Sequence, residues 1–209
     1  MPLTRMGRPG PLSGLFGPVR PARWSTHVGR TRSGGRTITS VSTRIAVIAV
    51  GGSSRHDEGV GRAVLSRLRE RALERPFRPG TVLAECDLDP GRPIRLWDHA
   101  ELTVVLESTR TRPGNPGHIH RLELDARQLD RPNAMVARGL GEAVEVAWEL
   151  NRLPGHLVAY AVEAADTSVG PGLSPPVNAV VDILVKRVED EIVRHRGAAA
   201  LGGDGAAMA

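Results

Sequence analysis

Two acidic residues of the sequence have the surroundings of a metal-binding or proton-transferring site. Glu58 lies in a glycine-rich segment, residues 51–61, directly after an apolar run. Glu107 comes directly after a second apolar run, residues 102–106. Carboxylates are suitable ligands for divalent cations and can transfer protons. The structural alternatives are that Asp57 caps a helix and Glu58 complements its dipole, and that Glu107 is a solvated loop residue.

Other common kinds of site are excluded by residue type and spacing. The glycine-rich segment has neither the G-x-G-x-x-G spacing of a dinucleotide site nor the Gly-Lys-Ser/Thr of a phosphate-binding loop. No Ser–His–Asp or Cys–His arrangement is evident. The single cysteine, Cys86, excludes an intramolecular disulfide and is interpreted as a small core residue. Any hydrolysis would therefore be metal-assisted attack by water.

The apolar pattern predicts an α/β fold. Short apolar or alternating runs predict strands at residues 44–50, 81–85, 102–106, 119–124 and 157–163. Helical spacing predicts helices at 57–75 and 139–150, a single turn at 97–100, and a final helix capped by Ser174 with Pro175 in its first turn. The alternation predicts a three-layer sandwich, with a mostly parallel twisted sheet of about five strands and helices on both faces. The wholly apolar strand 102–106 is predicted to be central.

In such folds ligands bind at the carboxyl ends of the strands. If the strands before Glu58 and Glu107 are neighbours, the two carboxylates would flank one metal ion at that edge. The sequence therefore predicts a cation site built from residues far apart along the chain.

The charge of the chain is unevenly distributed. Residues 1–42 hold seven arginines and no acidic residue, and the other 167 residues have a net charge of −2. We interpret this head as disordered, although its composition also suits a transit peptide or a start codon assigned too early. The folded domain is expected to span residues 43–196, with a disordered tail at 197–209. The near-neutral domain and the lack of a ~20-residue apolar run predict that the protein has no nucleic-acid or membrane partner. We also expect a cytoplasmic monomer.

Four stretches of the chain resemble a known family, the hydrogenase maturation proteases. These endopeptidases trim the C-terminus of the large subunit of nickel–iron hydrogenases. In order, the stretches read AVGGSSRHDEGVGRAV, LTVVLESTRTRPGNPGHIHRLELD, GLGEAVEVAWELNRLP and GPGLSPPVNAVVDILV. The resemblance covers roughly residues 44–195, and the order and spacing of the motifs support it.

The resemblance implies a partner, a metal and three ligand positions. The partner is a hydrogenase large-subunit precursor, and the metal is nickel, which the precursor supplies. The family's glutamate ligand falls on Glu58, which matches. Its aspartate falls on Glu107, which is one methylene longer, and its histidine falls on about Val136, which offers no donor atom.

Another histidine would have to complete such a site. His118, on the turn after Glu107, is the first candidate, and it stands where the family's Pro-Gly-Thr turn has threonine. His56 is the second candidate. His120 is the third, because we expect it to alternate with His118 across a strand. The family's Gly-x-Gly-Asn loop also departs from its pattern, since its first glycine falls on Ala49 and its Asn on Gly52.

The resemblance thus implies a metal-associated endopeptidase in which Glu58 and Glu107 are catalytic and, with His118, contact the metal. The alternative is a catalytically impaired relative that serves as a protein-binding accessory scaffold in maturation. A third possibility, from a different class, is an α/β module that binds a small ligand.

Overall fold

A computed structural model describes residues 44–203, apart from 53, 78, 87–90 and 126–139. The predicted head, residues 1–42, lies outside the described residues. So does Val136, at the position of the family's histidine.

In the described part of the chain, five strands form one sheet. They are β1 (Ile45–Val50), β2 (Thr81–Cys86), β3 (Leu102–Thr109), β4 (Ile119–Asp125) and β5 (His156–Glu163). Their order across the sheet is β2-β1-β3-β5-β4, and all neighbours are parallel except β4, which runs antiparallel to β5 at the edge. The predicted strand number, the mostly parallel sheet and the central place of β3 are confirmed.

The helices alternate with the strands. A 3-10 turn (His56–Gly59) precedes α1 (Val60–Glu74), and the others are α2 (Gly91–Trp97), α3 (Leu140–Glu149), α4 (Pro175–Asn178) and α5 (Val181–Gly203). The predicted helical turn at 97–100 is wrong, because the helix ends at Trp97. Pro93 lies in the first turn of α2, where the N–H that proline lacks would have no partner within the helix. The predicted final helix is also interrupted. A hydrogen bond that spans three residues instead of four, from the Val180 amide to the Val177 carbonyl, separates α4 from α5.

Each face of the sheet has its own apolar core, which gives the predicted three layers. Alternate residues of a strand point to opposite faces. On one face, β1, β3 and β5 pack against α1, α4 and α5, with Leu106 and Tyr160 among the fully buried side chains. On the other face, the same strands pack against α2 and α3 through Trp97 and Leu140. The central strands are buried on both faces, so their runs are continuously apolar.

α5 is the longest helix, with 23 residues. It continues to Gly203, so the first part of the tail predicted to be disordered at 197–209 is helical instead. Three consecutive alanines, Ala198–Ala200, favour this conformation because alanine has the highest helix propensity. None of the described helices is both long and apolar enough to span a membrane.

Close packing of α1 on the sheet fixes where the 3-10 turn lies. A Cβ at Gly61 would lie 2.8 Å from the carbonyl oxygen of Leu106 and 3.0 Å from the Cβ of Ala49. Only glycine lets the first turn of α1 rest this closely on β1 and β3. The turn before α1 is thereby held against the carboxyl ends of these two strands.

We predict that Gly61→Ala destabilises the protein by about 2 kcal/mol, because the new methyl group overlaps the backbone of β3 and the helix must move away. Urea denaturation measures the effect. Ser66→Ala, at an exposed position of α1, is the control and should change stability by less than about 0.5 kcal/mol. A stabilised Gly61→Ala variant would show that helix propensity outweighs this contact.

Candidate functional site

Glu58 lies on the 3-10 turn, folded back over the end of β1. Gly51 has a φ of +135°, and a Cβ there would lie 2.5 Å from the Glu58 carbonyl oxygen, so the reversal requires glycine. The Glu58 carboxylate lies over Gly52, whose Cβ position is 3.5 Å from Oε2. Arg55 Nε donates to Glu58 Oε1 at 3.1 Å, and the Glu58 side chain stays 23% exposed. Glu58 is thus oriented and still accessible.

Asp57 has a different role from the predicted helix cap. The turn receives no side-chain cap, and Asp57 is fully buried. Its Oδ2 accepts hydrogen bonds from the amides of Ala165 (2.9 Å) and Asp166 (2.8 Å) and from the Ser174 hydroxyl (2.8 Å). Its Oδ1 accepts from the Ser174 amide at 2.7 Å. The carboxylate therefore fastens the loop after β5, residues 164–174, to the turn that carries Glu58.

These hydrogen bonds also set the ionisation of Asp57. Burial by itself raises the pKa of the carboxyl group, but the bonds from Asp166, Ser174 and Ala165 outweigh it, and the pKa is lowered. Asp57 is thus an ionised structural anchor. Ser174 begins α4 without a side-chain cap bond of its own, because its hydroxyl donates to Asp57.

Glu107 is a residue of the central strand, and its alternative interpretation as a solvated loop residue is wrong. β3 extends to Thr109, Glu107 pairs with Ala161 of β5, and only 3% of Glu107 is exposed. Its Oε1 has no hydrogen-bond partner. Burial raises the pKa of Glu107 to about 7, because the charged form lacks compensating donors.

A cavity of about 250 Å³ opens beside Glu107. Its polar walls come from Thr109, Thr111 and His120, and its floor from the small side chains of Ala159 and Ala161, with Arg121 and Leu122 completing the lining. A buried carboxyl group with an unused oxygen thus faces a space large enough for a ligand group.

Glu58 lies on the turn after β1 and Glu107 lies in β3, which is a neighbour of β1 in the sheet. β1 pairs in parallel with β3, with Ala49 opposite Leu106, and the 3-10 turn contacts β3. The backbone segments that carry Glu58 and Glu107 therefore share the carboxyl-end edge of the sheet, where α/β folds bind ligands. The prediction that their strands are neighbours is confirmed.

The histidines after Glu107 are arranged differently from the prediction. His118 is exposed and lies just before β4, and His120 is the second residue of that strand. The expectation that they alternate is wrong, because residues two apart on a strand share a face. Their rings meet edge to face with centroids 4.6 Å apart.

Glu163, at the end of β5, is a site residue that the sequence interpretation missed. It is buried, and its Oε1 lies 2.7 Å from His120 Nε2. Its Oε2 accepts from the Thr111 hydroxyl at 2.7 Å and from the backbone amide of Asn115. The bonds from Asn115, Thr111 and His120 lower the pKa of Glu163 to about 2. The available signal was a carboxylate ending an apolar strand, the same pattern that marked Glu107.

His56 packs against the loop after β5. A Cβ on Gly170 would lie 2.2 Å from His56 Nε2, so the ring lies directly over this glycine, and Nε2 is 3.8 Å from Asp166 Oδ2. The backbone amide of His56 donates to the Gly170 carbonyl at 2.9 Å. His56 thus takes part in the same turn-to-loop contact as Asp57.

A closed three-ligand metal site is not formed by the side chains that the structure describes. Among them, no three or more His, Cys, Asp or Glu residues are grouped so that they could hold a metal ion. Glu58, Glu107 and His118 therefore do not make such a cluster by themselves.

The fold is that of hydrogenase maturation endopeptidases in three compared structures. The hydrogenase maturating endopeptidase HybD from Escherichia coli superposes with a TM-score of 0.60 at 16% identity, over 72% of this chain and 93% of that one. HybD from Thermococcus kodakarensis gives 0.56 at 18% identity, over 71% and 99%. A hydrogenase 2 maturation peptidase from a Thaumarchaeota archaeon gives 0.54 at 20% identity, over 71% and 97%. Comparison of the sequence with protein-family models and with curated proteins finds no match.

We predict that Asp57→Asn costs about 3 kcal/mol of stability, because an amide nitrogen would face backbone donors and the charge-assisted bonds would be lost. Urea denaturation measures the cost, and hydrogen exchange should accelerate first at Ala165, Asp166 and Ser174. Asp182→Asn, at an exposed position of α5, is the control. Unchanged exchange at these three amides would contradict the anchoring role.

Glu107 makes the stability depend on pH. Its pKa is raised from 4.5 to about 7 on folding, so the folded state binds more protons between these values and stability falls as pH rises through them. Relative to Glu107→Gln, the wild type should lose about 3 kcal/mol between pH 4.5 and 8. Chemical denaturation across this range tests this, with exposed Glu70→Gln as a control that keeps the wild-type profile. Parallel profiles for wild type and Glu107→Gln would refute it.

Proposed function

We propose that the protein is a metal-associated endopeptidase that removes a C-terminal peptide from a nickel-loaded hydrogenase large-subunit precursor. The observation that carries the proposal is the carboxyl-end edge itself. There Glu58 and Glu107 are presented by neighbouring parallel strands, in the fold of hydrogenase maturation endopeptidases. The sequence motifs that resemble this family fall on the same elements.

Nickel fits the donor set that the chain offers. It accepts carboxylate oxygens and favours imidazole nitrogen. Oε1 of Glu107 is buried without a partner, which is a cost that a bound cation would relieve. Glu58 is held by Arg55 and remains accessible. Because the described residues form no closed metal site, an ion that arrives bound to the substrate accounts for the arrangement better than a resident one.

Hydrolysis requires a water oxygen to bond to the scissile carbonyl carbon, the carbon–nitrogen bond to break, and the leaving nitrogen to gain a proton. A base works best when its pKa lies near the working pH. Glu107, whose pKa is about 7 while no ligand is bound, can take the water proton at the carboxylate oxygen that does not contact the metal and return it to the leaving nitrogen. The substrate's metal, when bound, polarises the scissile carbonyl. Glu58 and His118 are proposed to contact that metal from the turns beside Glu107.

Incubation of the full chain with nickel-loaded precursor tests this assignment, with mass spectrometry reporting the new C-terminus. The wild type should shorten the precursor, and Glu58→Gln should slow cleavage by about 100-fold or more, since even losses around a metal's ligands cost ~10–100-fold. Glu70→Gln is the matched control, because Glu70 is exposed and pairs with Arg67 on α1. It should cleave at the wild-type rate.

Two outcomes would contradict the endopeptidase assignment. One is cleavage by Glu58→Gln as fast as by the wild type. The other is an intact precursor that the wild type still binds in a pull-down, which would favour an accessory scaffold.

A further inference from the structure

Glu107 and His120 occupy one row across three strands. Glu107 of β3 is opposite Ala161 of β5, and Ala161 is opposite His120 of β4. Side chains in such a row project from the same face of the sheet. Adjacent strands are roughly 4.8 Å apart, so about 10 Å of backbone spacing separates the outer two residues. Since Ala161 contributes only a methyl group, the two longer side chains face each other across a gap.

This gap is part of the cavity beside Glu107. The cavity is lined by both Glu107 and His120, with the hydroxyl-bearing Thr109 and Thr111 at its wall. Glu107 is 3% exposed, and its Oε1 has no partner. A buried oxygen left without a donor is costly and is explained most simply when a ligand satisfies it. The ligand group must then be a cation or a hydrogen-bond donor.

Glu163 fixes the orientation and the tautomer of His120. Oε2 of Glu163 accepts from the backbone amide of Asn115 and from the Thr111 hydroxyl, and Oε1 is 2.7 Å from His120 Nε2. An ionised carboxylate only accepts, so the hydrogen-bond network assigns the ring proton to Nε2. In the neutral ring the lone pair is then on Nδ1. A histidine that donates one ring nitrogen to a carboxylate and offers the other is the usual form of a metal ligand.

Among the described residues, no carboxylate contacts the His118 side chain in this way. It lies before β4 and meets His120 only ring edge to ring face. Of the two neighbouring histidines, His120 is the one whose direction is set by a buried carboxylate, and its side chain keeps 45% of its surface exposed. His120 is therefore pre-organised and reachable.

We propose that Glu107 and His120 bind one divalent metal ion across Ala161, through Oε1 of Glu107 and Nδ1 of His120, and that Glu163 is the positioning residue. Glu58, His118 and water or substrate groups would fill the remaining coordination positions. The inference deepens the proposed function and rests on it for the identity of the ion, the substrate's nickel, while binding of free metal can be measured without any cleavage.

The binding test uses the untagged full chain and Ni²⁺ alone, followed by isothermal titration calorimetry. His120→Ala and Glu107→Gln should each weaken the affinity at least 10-fold, and Glu163→Gln should weaken it by about 10-fold. His118→Ala should retain more affinity than His120→Ala. His99→Ala is the matched control, because the His99 side chain is 89% exposed on the turn after α2. It should bind as the wild type does.

A second measurement does not depend on whether the variants fold. Long-range ¹H–¹⁵N correlation spectra of the wild type should show His120 protonated at Nε2 without metal. Addition of diamagnetic Zn²⁺ should shift Nδ1 of His120 and leave His99 unchanged. A purely structural His120 would show no shift at Nδ1.

The outcomes separate this inference from the proposed function. Metal binding that depends on His120, together with a precursor that stays intact, would support the site and contradict the endopeptidase. Cleavage of the precursor by His120→Ala at the wild-type rate, wild-type metal affinity in His120→Ala, or no binding by the wild type would each overturn the metal pair.

Discussion

The buried carboxylate of Asp57 is the interaction on which the candidate site depends. It joins the turn after β1 to the loop after β5 through bonds to Ala165, Asp166 and Ser174, which are more than 100 residues away along the chain. These bonds add to the backbone bond from the His56 amide to the Gly170 carbonyl, which joins the same turn to the same loop. Segments that are distant in sequence therefore form the carboxyl-end edge together.

Three buried carboxyl groups at this edge differ in pKa because their surroundings differ. Asp57 and Glu163 accept several hydrogen bonds, which lower the pKa of each and keep them ionised as anchors. Glu107 is buried without such donors, and its pKa is raised to about 7. Groups whose environments separate their pKa values in this way are the usual sign of a division between structural and chemical roles. Glu107 is the one left for chemistry.

Much of the fold could be predicted because a strand that is buried on both faces of the sheet has an almost continuously apolar sequence. β1 and β5 are mostly apolar runs and edge strand β4 alternates, so their bounds are predicted to within one residue. β3 is predicted only as far as Leu106, because its last three residues are polar. The sequence predicts a helical turn after Trp97 instead of the helix before it, because a seven-residue helix offers only a short apolar face, Ile94 and Trp97. Local pattern thus specified the layers of the fold better than the short connections.

The site was predictable only in part, since its contacts are non-local. Glu58 and Glu107 were identified because parallel strands bring their ends to one edge, a rule that needs no distances. The partners of Asp57 and the pairing of His120 with Glu163 depend on loops that fold back from far along the chain. The predicted alternation of His118 and His120 is also wrong, because residues two apart along an extended chain project to the same side, where the two rings meet.

The central claim is that Glu58 and Glu107 approach one metal ion carried by the substrate. Nickel X-ray absorption spectroscopy on the uncleaved precursor, alone and in complex with this protein, tests it most directly. The account predicts additional oxygen or nitrogen ligands at nickel in the wild-type complex, and fewer of them when either glutamate is replaced by glutamine. A nickel spectrum unchanged by a fully bound wild-type chain would contradict it.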